Sequence, residues 1–563
     1  REGTTPSSVN SIDPSSITTA NTDYSSAGAY GTSSYYLYKG TGTSVNITGL
    51  TSGLSYTFKL YTYTDAGTIY EYSSGTTTTP VISLINVSSA YTIGGDTQAI
   101  LAWNNPTLGC FDDVLIVANE TAGIDFTPIG NGSSYIPNTS YGGVNSIVYN
   151  QSASTVTVTG LTNGTTYYFE IFVNNGTEWS TGVEVSVVPN AGTLFKAGEL
   201  VFVGYDAQYL GSGADDEYLI ANLVDLKPGT TFSLVNSRYE AGAAANVRTD
   251  KWGGAGDDAS MNPGVAIITY TGAVDIPAGS ILIFHTDSTL GVFDYVGVIT
   301  GTTTVDETSN FSTSLPFGSS SAPNISSGDS DQIFLVQGGF TFDGTADAQQ
   351  ANYVLNGILL HGITNRAAWV PLTSACNGDA SGGNTRESRL HPGLNCFSVE
   401  NQSVSARSGF YQNSQIHTGS LRNIILGISN ASYWTLGTGG YTTDPTSTAI
   451  NRAGHTFTIT GGNAPGTWVS SSDTNWFNCA NWENLAVPDE NADVIISNSY
   501  ASVNPVINYV ASYSDLFSDV AQTKNLSIQG LKLILEGNIS NKLEVYGDLT
   551  LQTSGSLDMD DNT

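Results

Sequence analysis

Four cysteines in 563 residues are too few to make a disulfide scaffold. They are Cys110, Cys376, Cys396 and Cys479, and no two stand at CxxC spacing, which argues against a structural zinc site. Basic residues are also scarce, 17 against 49 acidic ones, giving a net charge of -32. A surface this acidic repels a phosphate backbone, and no basic stripe offsets it, so nucleic acid is excluded as a partner. The same charge disfavours anionic lipid, while favouring solubility and divalent cations. Only two methionines occur, and the good helix formers give way to glycine, serine, threonine, asparagine and tyrosine. Neither a membrane span nor a signal peptide is visible. Catalytic signatures are missing too: no GxSxG elbow, HExxH, P-loop or dinucleotide fingerprint occurs.

What the chain does contain is a repeat. Val45-Asn46-Ile47-Thr48-Gly49-Leu50 runs on to Tyr56 and Phe58, and Val156-Thr157-Val158-Thr159-Gly160-Leu161 runs on to Tyr167 and Phe169. Matching positions lie 111 residues apart (167 − 56). Duplicated domains with separate cores are expected. The second copy has a front half, with Trp103 in Ile100-Leu101-Ala102-Trp103 and a strand at Val114-Leu115-Ile116-Val117, that nothing before Arg1 matches. The first copy therefore reads as starting mid-domain, and the chain as part of a longer protein. Apolar residues alternate with period two between frequent turns, the pattern of an antiparallel sandwich.

Both copies resemble fibronectin type III domains, on the leucine followed six residues later by tyrosine (Leu50 to Tyr56, Leu161 to Tyr167) and on Trp103. The resemblance implies a structural tyrosine corner at Tyr56 and Tyr167. No Arg-Gly-Asp tripeptide occurs, so integrin recognition is not implied.

Four segments follow: 1–79, a truncated repeat; 80–190, a complete repeat; 195–462; and 466–563. The third contains two similar turns, Asp225-Leu226-Lys227-Pro228-Gly229 and Asp275-Ile276-Pro277-Ala278-Gly279, each leading into a strand. Its layout is similar to the lamin-tail-like β-sandwich modules of secreted bacterial proteins, lengthened by insertions. The fourth opens with Trp468, Trp476 and Trp482 and resembles the start of a module of Bacteroidetes surface proteins. Short alternations follow, Leu526-Ser527-Ile528, Leu533-Ile534-Leu535, Leu543-Glu544-Val545 and Leu549-Thr550-Leu551, which predict a parallel β-solenoid. The fold class expected is all-β: tandem fibronectin-like sandwiches, a larger sandwich, then a truncated solenoid.

Candidate sites are few. Asp215-Asp216-Glu217 and Asp257-Asp258 lie in glycine-rich loops and could offer calcium its oxygens; no other cofactor is expected. Cys376 and Cys396, close in sequence, are the expected disulfide, with Cys110 and Cys479 free, or meeting only if distant domains touch. The five histidines carry no catalytic spacing. A cleft holding His285 or His361 beside a buried carboxylate would point to a hydrolase. Trp468, Trp476 and Trp482 could stack on sugars or plug the solenoid end, and the plug is the expected role.

The combination of segments resembles type IX secretion cargo, including gliding-motility adhesins. That resemblance implies a non-enzymatic adhesin or stalk on the outer surface of a Gram-negative bacterium. Its partners would be a glycan or protein ligand and the export machinery, with no membrane insertion by this part. The alternative is an accessory, non-catalytic region of a secreted hydrolase.

Overall fold

The computed structural model describes residues 17–30, 34–42, 45–50, 56–65, 70–72, 76–78, 84–106, 111–176, 178–207, 216–236, 238–240, 251–253, 264–286, 293–300, 303–316, 323, 332–342, 353–364, 369, 390–400, 408–412, 414–437, 456–489, 491–508, 520–536, 542–552 and 554–559. The chain forms two compact units. One holds the residues up to Val188, apart from Thr92–Ala99 and Thr162–Gly164; the other holds those two stretches and Pro189–Thr563. The fold is all-β, with one α-helix among the described residues, Leu421–Ile428.

The second repeat is a two-sheet sandwich. One sheet orders the strands Ser146–Gln151, Asp113–Asn119, Tyr167–Asn174 and Val183–Val187, and the other Thr155–Thr159, Gln98–Asn104 and Ser88–Gly95. In Thr155–Thr159 the threonines are exposed and Val156 and Val158 buried, as a strand with one face on the core requires. Trp103 is buried edge-on against Tyr149, ring centroids 5.4 Å apart, and its indole N–H donates to Asn105 Oδ1 at 2.7 Å.

The two repeats share a backbone motif. Tyr24 N–H donates to Thr48 O and Tyr141 N–H to Thr159 O, both at 2.8 Å; Thr48 N–H returns to Thr22 O and Thr159 N–H to Thr139 O. Gly49 and Gly160 follow at φ of 69° and 72°, a conformation glycine adopts without steric cost. Tyr56 and Tyr167 are each 1% exposed, and Tyr24 and Tyr141 meet them edge-on at 5.2 and 4.9 Å.

The third segment is a larger sandwich. A seven-stranded antiparallel sheet orders Thr303–Asp306, Phe293–Thr300, Ser280–Thr286, Glu217–Asn222, Leu200–Asp206, Ser408–Tyr411 and Trp434–Gly437. An eight-stranded sheet orders Arg238–Glu240, Lys251–Gly253, Tyr353–Thr364, Gln332–Phe342, Thr231–Asn236, Gly264–Tyr270 and Phe311–Ser314, with Ser398–Glu400 paired in parallel to Tyr353–Thr364. Phe284 of the first sheet meets Phe232 and Phe311 of the second at 6.1 and 5.6 Å, so these faces enclose the core. The two similar turns pair with each other: Leu226 and Ile276 exchange N–H···O bonds of 2.9 Å in both directions. A Cβ on Gly279 would lie 1.9 Å from Phe457 O, so no side chain fits there.

Residues 493–559 form three ladders. Asp493–Ser497, Asn525–Gln529 and Leu549–Gln552 make one, Val506–Ile507, Lys532–Leu535 and Ser556–Met559 another, and Ala521–Thr523 with Leu543–Val545 the third. Every pairing in them is parallel. Leu526 therefore sits on Leu549, and Leu533 on Leu557.

Candidate functional site

Glu217 opens its strand between two neighbours. Asp206 is opposite it on one side and His285 on the other, and Ser408 is opposite Asp206 in turn. Directly opposed residues of an antiparallel ladder share a face. Ser408, Asp206, Glu217 and His285 therefore make one polar row across four strands. Phe284, beside His285, points to the other sheet, so the row lies on the face turned away from it. Burial is nearly complete: Ser408, Asp206 and Glu217 are 0% exposed and His285 6%. His285 Nε2 lies 2.7 Å from Glu217 Oε2. The Ser408 hydroxyl has no hydrogen-bond partner among the described residues.

This arrangement bears on the calcium candidates. Neighbours along an extended chain face opposite ways, so Asp216 and Glu217 do not converge on one ion. Asp216 is buried and accepts a long, 3.4 Å bond from the Tyr218 hydroxyl, while Glu217 meets His285. Asp215, Asp257 and Asp258 lie outside the described residues. Among the described residues no group of three or more His, Cys, Asp or Glu side chains is placed to hold a metal ion.

The row has half of a hydrolytic site. A carboxylate that orients a histidine is what general base catalysis requires. The serine of the row is separated from His285 by two strands, however, roughly 14 Å at the usual strand spacing. Ser408 and His285 thus do not form a nucleophile–base pair. His361 sits in the other sheet, fully buried, 6.0 Å from the Phe202 ring, with neither ring nitrogen hydrogen-bonded among the described residues. Burial depresses its pKa to about 3, which holds the ring neutral.

Asp206 and Ser408 carried no signal in the sequence. They are far apart along the chain, and only the ladder sets them side by side.

The tryptophans are resolved plainly. Trp468, Trp476 and Trp482 are each 0% exposed and pack edge-on, with Trp482 5.1 Å from Trp468 and 4.8 Å from Trp476. Two indole N–H groups donate to backbone, Trp468 to Val503 O and Trp482 to Trp476 O. They form core with Val494, Ile496, Leu526 and Ile528, and present no ring face to a sugar.

The expected Cys376–Cys396 pair is corrected. Cys396 bonds Cys479, with Cα atoms 6.1 Å apart and 83 residues between them in sequence. Cys396 follows the short Pro392–Leu394 turn at the sandwich core, and Cys479 opens a turn beside Trp482 that packs against that same core. Closeness along the chain was the wrong guide, because the fold brings the distant pair within bonding range. Cys110 and Cys376 lie outside the described residues.

No family model matches this sequence, and no curated protein matches it. Solved structures are similar to it at low identity. A two-domain fibronectin type III segment of chicken tenascin is 9% identical, covering 50% of this chain and 97% of that one, with a TM-score of 0.14. The FN1–FN3 domains of chicken CNTN1 are 9% identical, covering 48% and 78%, with a TM-score of 0.17. Domains d3–d4 of the rat CD45 extracellular region are 16% identical, covering 28% and 78%, with a TM-score of 0.15.

Proposed function

We propose that this chain is a non-catalytic section of a large secreted bacterial surface protein, an adhesin or stalk. In this reading the type IX pathway exports it to the outer surface of a Gram-negative cell, where it serves attachment or gliding. One observation carries the proposal: the chain passes through successive β cores that bury its tryptophans at 468, 476 and 482, with His361 buried beside Phe202 and His285 buried against Glu217. Chemistry-bearing side chains are thereby committed to packing, and loops and strand faces are left to meet a ligand. No helix among the described residues is long and apolar enough to cross a membrane.

The test is retention of the labelled full chain on a glycan array and on immobilised surface proteins, with and without calcium. Saturable retention without substrate turnover is expected. The Glu217–His285 pair is the one feature that serves the competing hydrolase reading. Hydrolysis of an ester, peptide or glycosidic substrate by the wild type, lost in His285→Ala, would overturn the proposal.

A further inference from the structure

The Cys396–Cys479 bond closes a loop that contains the strands Ser398–Glu400, Ser408–Tyr411, Thr418–Gly419, Trp434–Gly437 and Thr458–Ile459 and the helix Leu421–Ile428. Ser408–Tyr411 and Trp434–Gly437 are the last two strands at one edge of the seven-stranded sheet, and among the described residues Trp434–Gly437 pairs with no strand but Ser408–Tyr411. Tension reaching residue 479 from the C-terminal side would, without the bond, run back along the backbone, first into Thr458–Ile459, held in parallel to Thr418–Gly419, and Phe457, bonded to Gly279 O, and then into that edge. An edge strand loaded at its end gives way one pairing at a time. With the bond in place, tension crosses from Cys479 to Cys396 and enters the sandwich at a core residue, 8% exposed, beyond the loop.

The helix braces the same junction. Arg422 donates through Nε to Trp482 O at 3.2 Å and through Nη2 to Ala480 O, so it holds the middle and the C-terminal end of the Cys479 turn. At the other end Ser429 Oγ donates to Cys396 O at 3.1 Å. Leu485 belongs to the sandwich core, while Trp482, three residues before it, belongs to the next.

We infer that the Cys396–Cys479 disulfide is a mechanical clamp that takes this edge of the sandwich out of the path of tension. The inference rests on the stalk reading for its use, but its test needs no ligand. The full chain is held by its two ends in an optical trap and stretched before and after dithiothreitol is added to the folded molecule. After reduction we expect a new low-force event that precedes all others, and a total extension longer by about 290 Å for the 83-residue separation. Identical traces in the two states, or extra length that appears only when the main core opens, would overturn it. Peptide mapping gives an independent check: a linked Cys396–Cys479 peptide supports the clamp, and a linked Cys376–Cys396 peptide refutes it. Reducing the already folded molecule avoids relying on a cysteine variant that fails to fold. If the clamp is found and no surface retention is, the adhesion reading fails alone.

Discussion

His361 places an ionisable ring where no hydrogen-bond partner meets it among the described residues. Its folded pKa of about 3 lies below the ordinary 6.5. Between those values the unfolded chain binds a proton that the native chain does not, so stability rises with pH across that window and falls on acidification. The loss is about 1.4 kcal/mol per pH unit, or about 2 kcal/mol between pH 6.5 and pH 5. His361→Leu, similar in volume, should remove this dependence. Urea titrations of wild type and variant at pH 7 and pH 5 are expected to show the variant gaining about 2 kcal/mol relative to wild type at the lower pH. An unchanged difference would mean that the ring finds a proton acceptor or water in the fold. Nothing in the sequence marks His361 as different from the other histidines, because its burial comes from Phe202, more than a hundred residues away and in the other sheet.

At the level of elements, the second repeat carries an internal conflict. Glu170 and Glu184 are directly opposed across neighbouring strands. Partial burial first, and then the Glu184 charge, raise the Glu170 carboxyl above its usual pKa. Glu184 has a role of its own, accepting from Gly123 N–H at 2.8 Å and Ile124 N–H at 3.2 Å. For a carboxyl with a raised folded pKa, the native state holds its proton longer, so stability falls as pH rises through the window above 4.5. Glu170→Gln should therefore stabilise at pH 7 by about 0.5 kcal/mol. The gain should shrink as pH falls below 4.5 and Glu170 takes up its proton in both states, and thermal melts at pH 7 and pH 4 check it. A gain that persists at pH 4 would assign the effect to packing.

Elements were legible where their determinants are local. The likeness of the two repeats was legible because it lies in one short stretch of chain, and the same backbone bonds recur beside it, Tyr24 to Thr48 and Tyr141 to Thr159. The pairing of the two Asp-x-x-Pro-Gly turns was not legible, although their likeness was, since nothing local says that Leu226 must face Ile276. The disulfide failed for the same reason. Proximity along the chain competed with a contact that exists only once the tryptophan-lined turn packs on the sandwich. The polar row is the extreme case: its four members come from four strands, and sheet order alone assembles them.

At the scale of the whole molecule, separate cores imply separate melting. The chain divides into two compact units, and both bonded cysteines belong to the one that includes Pro189–Thr563. Calorimetry is expected to resolve more than one transition, since cooperative unfolding follows the core and not the chain. Closing a loop of 83 residues removes unfolded-state entropy worth about 4.5 kcal/mol in the chain-entropy account. For a unit of several hundred residues, losing that much lowers the midpoint by roughly 5 °C. Reduction should therefore shift a transition of the larger unit and leave that of the second repeat's sandwich, which holds neither of these cysteines, where it was. A common shift of all transitions on reduction would show that the units unfold as one, and the reading of the chain as serial independent cores would fall with it.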